Sequence, residues 1–309
     1  GVGGVGGYFG GRLAKAGTEV VFIARGENLR ALKRAGLRVD SLDGDFVISP
    51  VHATDDPAEA GPADAVLLEV KAWQVPEAAE ALKLLMANNT FVVPLQNGVE
   101  APSQLARTLG PEHAFGGLCY LVTMLAGPGH VRHAGMKPHV TFGELDNRRT
   151  SRAESLLQAF TDAGVSAEIP PDIHAAMWEK FLFIASLSGV GAITRVPVGV
   201  SRGIPGTRKL FEQCIGELSA VARARGIRVK DNAVEATMAL IDNLPPEATA
   251  SMQRDIMAAR PSELDSQSGT VVRLGREAGI PTPLNEFIYH SLLPQELAAR
   301  KQIREGTTS

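Results

Sequence analysis

The sequence predicts an α/β fold: an N-terminal Rossmann-type, mostly parallel sheet with extra antiparallel strands, followed by an all-helical C-terminal domain. Three observations predict it. Five of the first seven residues are glycine, and a helix-like and then a strand-like stretch follow them, the order of a dinucleotide-binding turn. The first half alternates short apolar β-rich runs with helical stretches, the rhythm of βαβ units. Beyond Pro171 the β signal nearly vanishes and helical stretches remain.

Gly1, Gly3 and Gly6 have the spacing G-x-G-x-x-G. In that pattern the first glycine makes the turn, the second lets a pyrophosphate approach the backbone, and the third lets the helix pack closely. Gly7 is read as slack beside the motif. "YFGGRLAKAG" then forms a helix whose N-terminal amides face the anion and which stops near Gly17. "TEVVFIAR" reads as a buried strand. A Rossmann unit also needs a strand before the first glycine; that strand is inferred to precede Gly1 and is not read here.

Further along, "DAVLLEV" (64–70) and "TFVVPL" (90–95) are continuous apolar runs of the kind buried in parallel sheets, with helical "PEAAEALKLLMAN" between them. After about residue 113 the texture changes to "AFGGLCYLVTML", "GHVRHAG" and "PHVTFGE", three segments punctuated by Gly and Pro that predict antiparallel strands. A helix over about 150–163 follows, then a short strand and a Pro-Pro break in "VSAEIPPDI". Residues 173–193, 205–225, 230–242, 266–278 and 285–299 suit helices, bounded by Gly226, Pro245, Pro246 and Gly279. The polar tail "REGTTS" is expected to fray. Residues 1–170 are thus expected to form a dinucleotide-binding domain and 171–309 a helical one, with a cleft between them for substrate.

Composition narrows the function. A net charge of −3 over 309 residues disfavours a general nucleic-acid or anionic-membrane binder. Cys119 and Cys214 stand alone, so neither a disulfide framework nor a metal pair is indicated, and a reducing, cytoplasmic home fits best. The nearest approach to a membrane span, "FLFIASLSGVGAI" from Phe181, is shorter than the roughly 18 to 20 apolar residues required.

The end of the second strand selects the cofactor. NAD enzymes place an acid there, about 20 residues on, for the ribose 2′-hydroxyl; this chain has Arg25. A guanidinium grips a 2′-phosphate that a carboxylate would repel, so NADP is expected. Lys71 follows one apolar strand and Gln96, Asn97 and Gly98 follow the next, two polar clusters at the carboxyl edge where open α/β sheets bind ligands. Lys180 enters a strongly apolar helix, with Ile184 and Ser188 on its face at i+4 and i+8. By itself it could be a lysine snorkelling to solvent. "SMQRDIMAARPSELDSQSG" adds Ser251, Arg254, Asp255, Glu263 and Asp265, from which a carboxylate could meet the lysine.

At these residues the chain resembles the ketopantoate reductase (2-dehydropantoate 2-reductase) family, from the glycine motif almost to the C-terminus. The matching pieces are "GVGGVGG", Arg25, "VKAWQ", "QNG", "WEK", "SMQRDI", "RPSELD" and "GIPTP", in the family's order. The resemblance implies Lys180 as the catalytic lysine and Glu263 as the active-site glutamate. It implies Asn97 and Ser251 as substrate contacts, Lys71 as an auxiliary active-site lysine and Arg25 as the grip on the NADP phosphate; from their positions in this sequence Ser188 and Lys71 are also expected at the substrate, Gly1, Gly3, Gly6, Lys71 and Asn97 at the cofactor, and no metal is expected. It departs in one place: the family carries asparagines one and two turns after the lysine, where this chain has Ile184 and Ser188, and isoleucine cannot hydrogen-bond. The expected activity is NADPH-dependent reduction of 2-dehydropantoate to (R)-pantoate. Another 2-oxo acid or ketone, or an NADP sensor without catalysis, is the alternative. The expected partner is a small 2-oxo acid, with no nucleic acid or membrane and with a homodimer as one option for assembly.

Overall fold

The computed structural model describes residues 1–306. They form two compact units, Gly1–Gln96 with Ala101–Ile173, and Asn97–Glu100 with His174 onward.

In the first unit the order is α1 (Gly4–Lys15), β1 (Val21–Ile23), α2 (Gly26–Ala35), β2 (Leu37–Ser41), β3 (Phe46–Ile48), β4 (His52–Thr54), α3 (Pro57–Ala60), β5 (Ala65–Leu68), α4 (Val75–Leu82), β6 (Phe91–Pro94), α5 (Ala101–Leu109), β7 (Phe115–Gly127), β8 (His130–Glu144), α6 (Ser151–Asp162) and β9 (Ser166–Glu168). β1 pairs with β4 and β5 with β6, both parallel, as the continuous apolar runs require. Beside these two-stranded pairs, a five-stranded sheet has the order β3-β2-β8-β7, with β9 on β8. Its β2–β8 and β8–β9 pairs are parallel, and its β2–β3 and β7–β8 pairs are antiparallel. A single parallel bridge from Val92 to Ala114 ties β6 to the entrance of β7.

"GHVRHAG" and "PHVTFGE", expected as two strands, are one strand, β8. Tyr120 pairs with His139 and Val122 with Ala134, so residues 135–138 bulge opposite Leu121. Gly135 takes φ +82° there, and Pro138 lies where no ladder amide is needed. Gly7 is not slack. A Cβ at that position would lie 2.7 Å from Val131 Cγ2, so the missing side chain is what lets α1 press onto the β7–β8 hairpin.

The second unit is helical, as predicted: α7 (Ile173–Thr194), α8 (Val198–Gly203), α9 (Pro205–Ala224), α10 (Ala233–Asp242), α11 (Ser251–Met257), a π turn (Asp265–Gly269), α12 (Thr270–Ala278) and α13 (Pro283–Gly306). The helix expected over 266–278 therefore starts as a π turn. α13 carries the chain as helix through Gly306, into the tail expected to fray; residues 307–309 lie outside the described residues. α7 is apolar on every side, which marks a central helix. Trp178, Phe181, Leu182, Ala185 and Val190 pack with Phe211, Ile215, Leu218, Ile241, Leu264 and Ile288. At 22 residues α7 is longer than the apolar run read from sequence and passes the length and composition test for a membrane span, but 72% of its most apolar window is buried inside the protein.

Candidate active site

In the first unit the glycine turn leads directly into α1. Gly3 is extended (φ −85°, ψ −160°) and precedes the helix without a capping side chain, and no acid occupies the first turn. The first amides and the positive end of the helix dipole are thus left to an anion. A Cβ on Gly3 would meet nothing within 4 Å, so the backbone is open to a ligand. A Cβ on Gly6 would lie 2.2 Å from Gly1 O and 3.1 Å from the Glu69 side chain, and one on Gly1 3.0 Å from Glu69 O. The turn is therefore stacked against the end of β5 with no room for larger residues. Thr123 Oγ1, on β7, is buried without a partner and would touch a Cβ at position 4 at 2.7 Å. An open backbone, bare helix amides and an orphaned hydroxyl fit a diphosphate.

Arg25 precedes α2, at the end of β1. It is exposed and makes no ion pair among the described residues. Glu27, the nearest acid in sequence, is engaged by Arg30. Asn28 fixes this corner: its Nδ2 donates to Val2 O at 2.8 Å and its Oδ1 accepts from Gly129 N at 2.7 Å. Sequence reading missed both Asn28 and Thr123, because each acts through segments distant in the chain. Lys71 is exposed after β5, its Nζ 5.7 Å from the centre of the Trp73 ring. Gln96 Nε2 donates to Leu68 O at 2.8 Å, while its Oε1 is buried with no partner.

The four residues from Asn97 belong to the second unit. Gly98, at φ +125°, passes so near the π turn that a Cβ would lie 3.2 Å from Ser266 O. Glu100 accepts from Thr270 Oγ1 at 2.6 Å and from Arg273 at 2.7 Å. These bonds hold the Asn97 segment against α12.

Lys180 is on α7, only 8% exposed. Its neighbour Glu179 instead reaches Lys230 at 2.9 Å. Of the carboxylates that could have met the lysine, Asp255 is paired with Arg260 at 2.9 Å, and Asp265 is held by Arg273 and by Tyr289 OH. Arg254 is turned to Thr249. Glu263 is 7% exposed, and the residue before it is fixed from α13. Ser262 N and Oγ donate to Glu296 Oε2 at 2.9 and 2.6 Å, and Arg300 pairs with the same carboxylate at 2.6 Å. Glu296→Ala would leave the buried Ser262 donors without an acceptor and is expected to lower stability by about 1–3 kcal/mol, read from urea unfolding midpoints. Ser251 opens α11 and is partly buried. Ser188 is fully buried, its hydroxyl without a partner, whereas Ile184 packs on the unit's apolar core.

A glycine turn open to a diphosphate, on one chain with a helical unit that buries a lysine and a glutamate, suits the oxidoreductase class among others. The comparisons with known proteins narrow the class. Residues 1–147 match the family model "Ketopantoate reductase PanE/ApbA" and residues 172–296 its C-terminal counterpart. An uncharacterized oxidoreductase of Bacillus subtilis is 28% identical over 94% of this chain and 96% of its own length. The 2-dehydropantoate 2-reductase of Archaeoglobus fulgidus is 30% identical over 93% of each chain. A PanE/ApbA family ketopantoate reductase structure from Ralstonia eutropha superposes with a TM-score of 0.88 at 32% identity, covering 97% of both chains. D-mandelate dehydrogenase, solved with NADH and anilino(oxo)acetate, has the same fold at 22% identity, covering 97% of this chain and 98% of its own, with a TM-score of 0.88. The chain belongs to the ketopantoate reductase family.

Proposed function

We propose that the chain is an NADPH-dependent reductase of a small 2-oxo acid, with 2-dehydropantoate as the default substrate and (R)-pantoate as the product. The observation that carries this reading is the burial of Lys180 and Glu263 in a helical unit whose other candidate carboxylates are held by arginines. Buried charges are costly to keep, and such residues concentrate where chemistry needs them.

Gly1, Gly3 and Gly6, with the first amides of α1 and the Thr123 hydroxyl, would hold the pyrophosphate. Arg25 would take the 2′-phosphate. The nicotinamide would supply a hydride to the carbonyl carbon. Lys180 then stabilises the charge growing on the carbonyl oxygen and donates the proton that completes the alcohol. Glu263 accepts a hydrogen bond from a substrate hydroxyl. Asn97, Ser188 and Ser251 orient the substrate, and Lys71 draws in its carboxylate. The buried cysteines Cys119 and Cys214, neither of them in a disulfide, suit a reducing, cytoplasmic setting.

A second reading, reduction of a different 2-oxo acid by the same residues, is favoured by one observation: Ile184 offers an apolar side chain where the family has an amide. NADPH oxidation followed against a panel of 2-oxo acids tests both. Fastest turnover with 2-dehydropantoate supports the first and fastest turnover with an apolar 2-oxo acid the second. No turnover with any of them would overturn both, leaving an NADP-binding sensor.

A further inference from the structure

Arg273, on α12, reaches two segments that each carry a candidate site residue. Its Nη2 donates to Glu100 Oε2 at 2.7 Å, three residues beyond Asn97. Its Nη1 donates to Asp265 Oδ1 at 3.2 Å, two residues beyond Glu263. All of these residues belong to the second unit. Thr270 Oγ1 and Tyr289 OH complete the arrangement, donating to Glu100 Oε2 at 2.6 Å and to Asp265 Oδ1 at 3.0 Å. The two backbones are closely seated, since a Cβ on Gly98, at φ +125°, would lie 3.2 Å from Ser266 O.

The guanidinium does two things here that a neutral side chain could not. It ties the Asn97 segment to the π turn through charge-assisted hydrogen bonds, and it stands between two carboxylates, Glu100 and Asp265, that without it would repel each other as like charges. The segments differ in how else they are held. Ser262 and the buried Glu296 fix the Glu263 segment independently. The Asn97 segment enters the second unit for four residues, 97–100, and leaves it again at Ala101, so its seat depends on the contacts at Gly98 and Glu100. The Arg273 side chain is 42% exposed, and ion pairs so exposed add little to global stability.

We propose that Arg273 is a positioning residue for the reductase: by holding Glu100 and Asp265 together it sets where Asn97 stands relative to Glu263, and with it the geometry in which the substrate is oriented. The inference rests on the 2-oxo acid reading above. A displacement of about 1 Å in an orienting group costs on the order of 10²-fold in rate, so a weakly stabilising ion pair can still matter greatly to turnover.

The test is a set of variants assayed with the 2-oxo acid that the parent reduces fastest, at a temperature where each variant is fully folded. Arg273→Met keeps an apolar stem and removes the charge. It is expected to lower kcat/KM by about 10- to 100-fold with a nearly unchanged melting temperature. Adding Glu100→Gln removes one of the two like charges and keeps an oxygen that can accept from Thr270; it should recover much of the loss, although it restores no contact to residue 273. In an Asn97→Ala background, Arg273→Met should cost no more than a few-fold further. An arginine with a merely structural role would give the same fold-loss in both backgrounds and gain nothing from Glu100→Gln, and either result overturns the inference. Arg273→Lys keeps the charge but lacks the planar fork; it should show a smaller loss of the same pattern and serves if Arg273→Met does not fold. Amide hydrogen exchange over residues 97–100 separates this inference from the reductase reading. If the parent reduces no 2-oxo acid, faster exchange in Arg273→Met that Glu100→Gln reverses upholds the clamp while the reductase reading fails, and unchanged exchange overturns both.

Discussion

Lys180→Ala is expected to lower kcat by about 10²- to 10⁴-fold, the usual contribution of a positioned general acid, while NADPH affinity stays within a few-fold of the parent. The separation follows from where the groups reside. The glycine turn and Arg25 belong to the first unit and the lysine to the second, so truncating it removes no proposed cofactor contact. Lys180→Arg should keep the positive charge but restore little activity, because a guanidinium holds its proton too tightly to deliver it. Lys180 is only 8% exposed, so melting temperatures are measured alongside, and Lys180→Met supplies a volume-matched control. Turnover within a few-fold of the parent in a folded Lys180→Ala protein would assign the lysine a packing role.

Arg25→Asp should reverse the cofactor preference, because a favourable charge pair with the 2′-phosphate becomes a repulsive one. Losing a charge-assisted hydrogen bond costs about 1.5–3 kcal/mol, which is roughly 10- to 150-fold in the ratio of NADPH to NADH affinity. The change should leave stability nearly untouched. Arg25 is exposed and makes no ion pair among the described residues, and the Glu27–Arg30 pair beside it is independent of it. Dissociation constants for the two dinucleotides, with a melting curve for each protein, check this. Equal selectivity in parent and variant would mean that the guanidinium points to solvent.

Much of the fold was legible because its signals are local. Apolar runs of strand length, amphipathic stretches and Gly or Pro punctuation depend on residues a few positions apart, and they located β5, β6, α7 and α9 closely. Elements with weak local signals were not found: α8 and α11 are only six and seven residues long, and the short strands β2 to β4 lack sustained alternation. The hairpin was misread at Gly135 and Pro138 because residues that normally end a strand can be absorbed into a bulge when the partner strand continues past them.

The site divides along the same line. Residue type and spacing by themselves singled out the glycine turn, Arg25, the polar loops after two strands and the lysine in an apolar helix, since each is a chemical oddity within its own short segment. Only the tertiary structure decided that Lys180 and Glu263 are buried, that Asp255 and Asp265 are held by arginines, and that Glu296 fixes the residue before Glu263. It alone brought Thr123 to the start of α1, Asn28 to the glycine turn and Ser268 to the crossing with α7. Burial and hydrogen-bond satisfaction are properties of packed neighbours. They depend on which distant segment covers a side chain, and no window of sequence contains that segment.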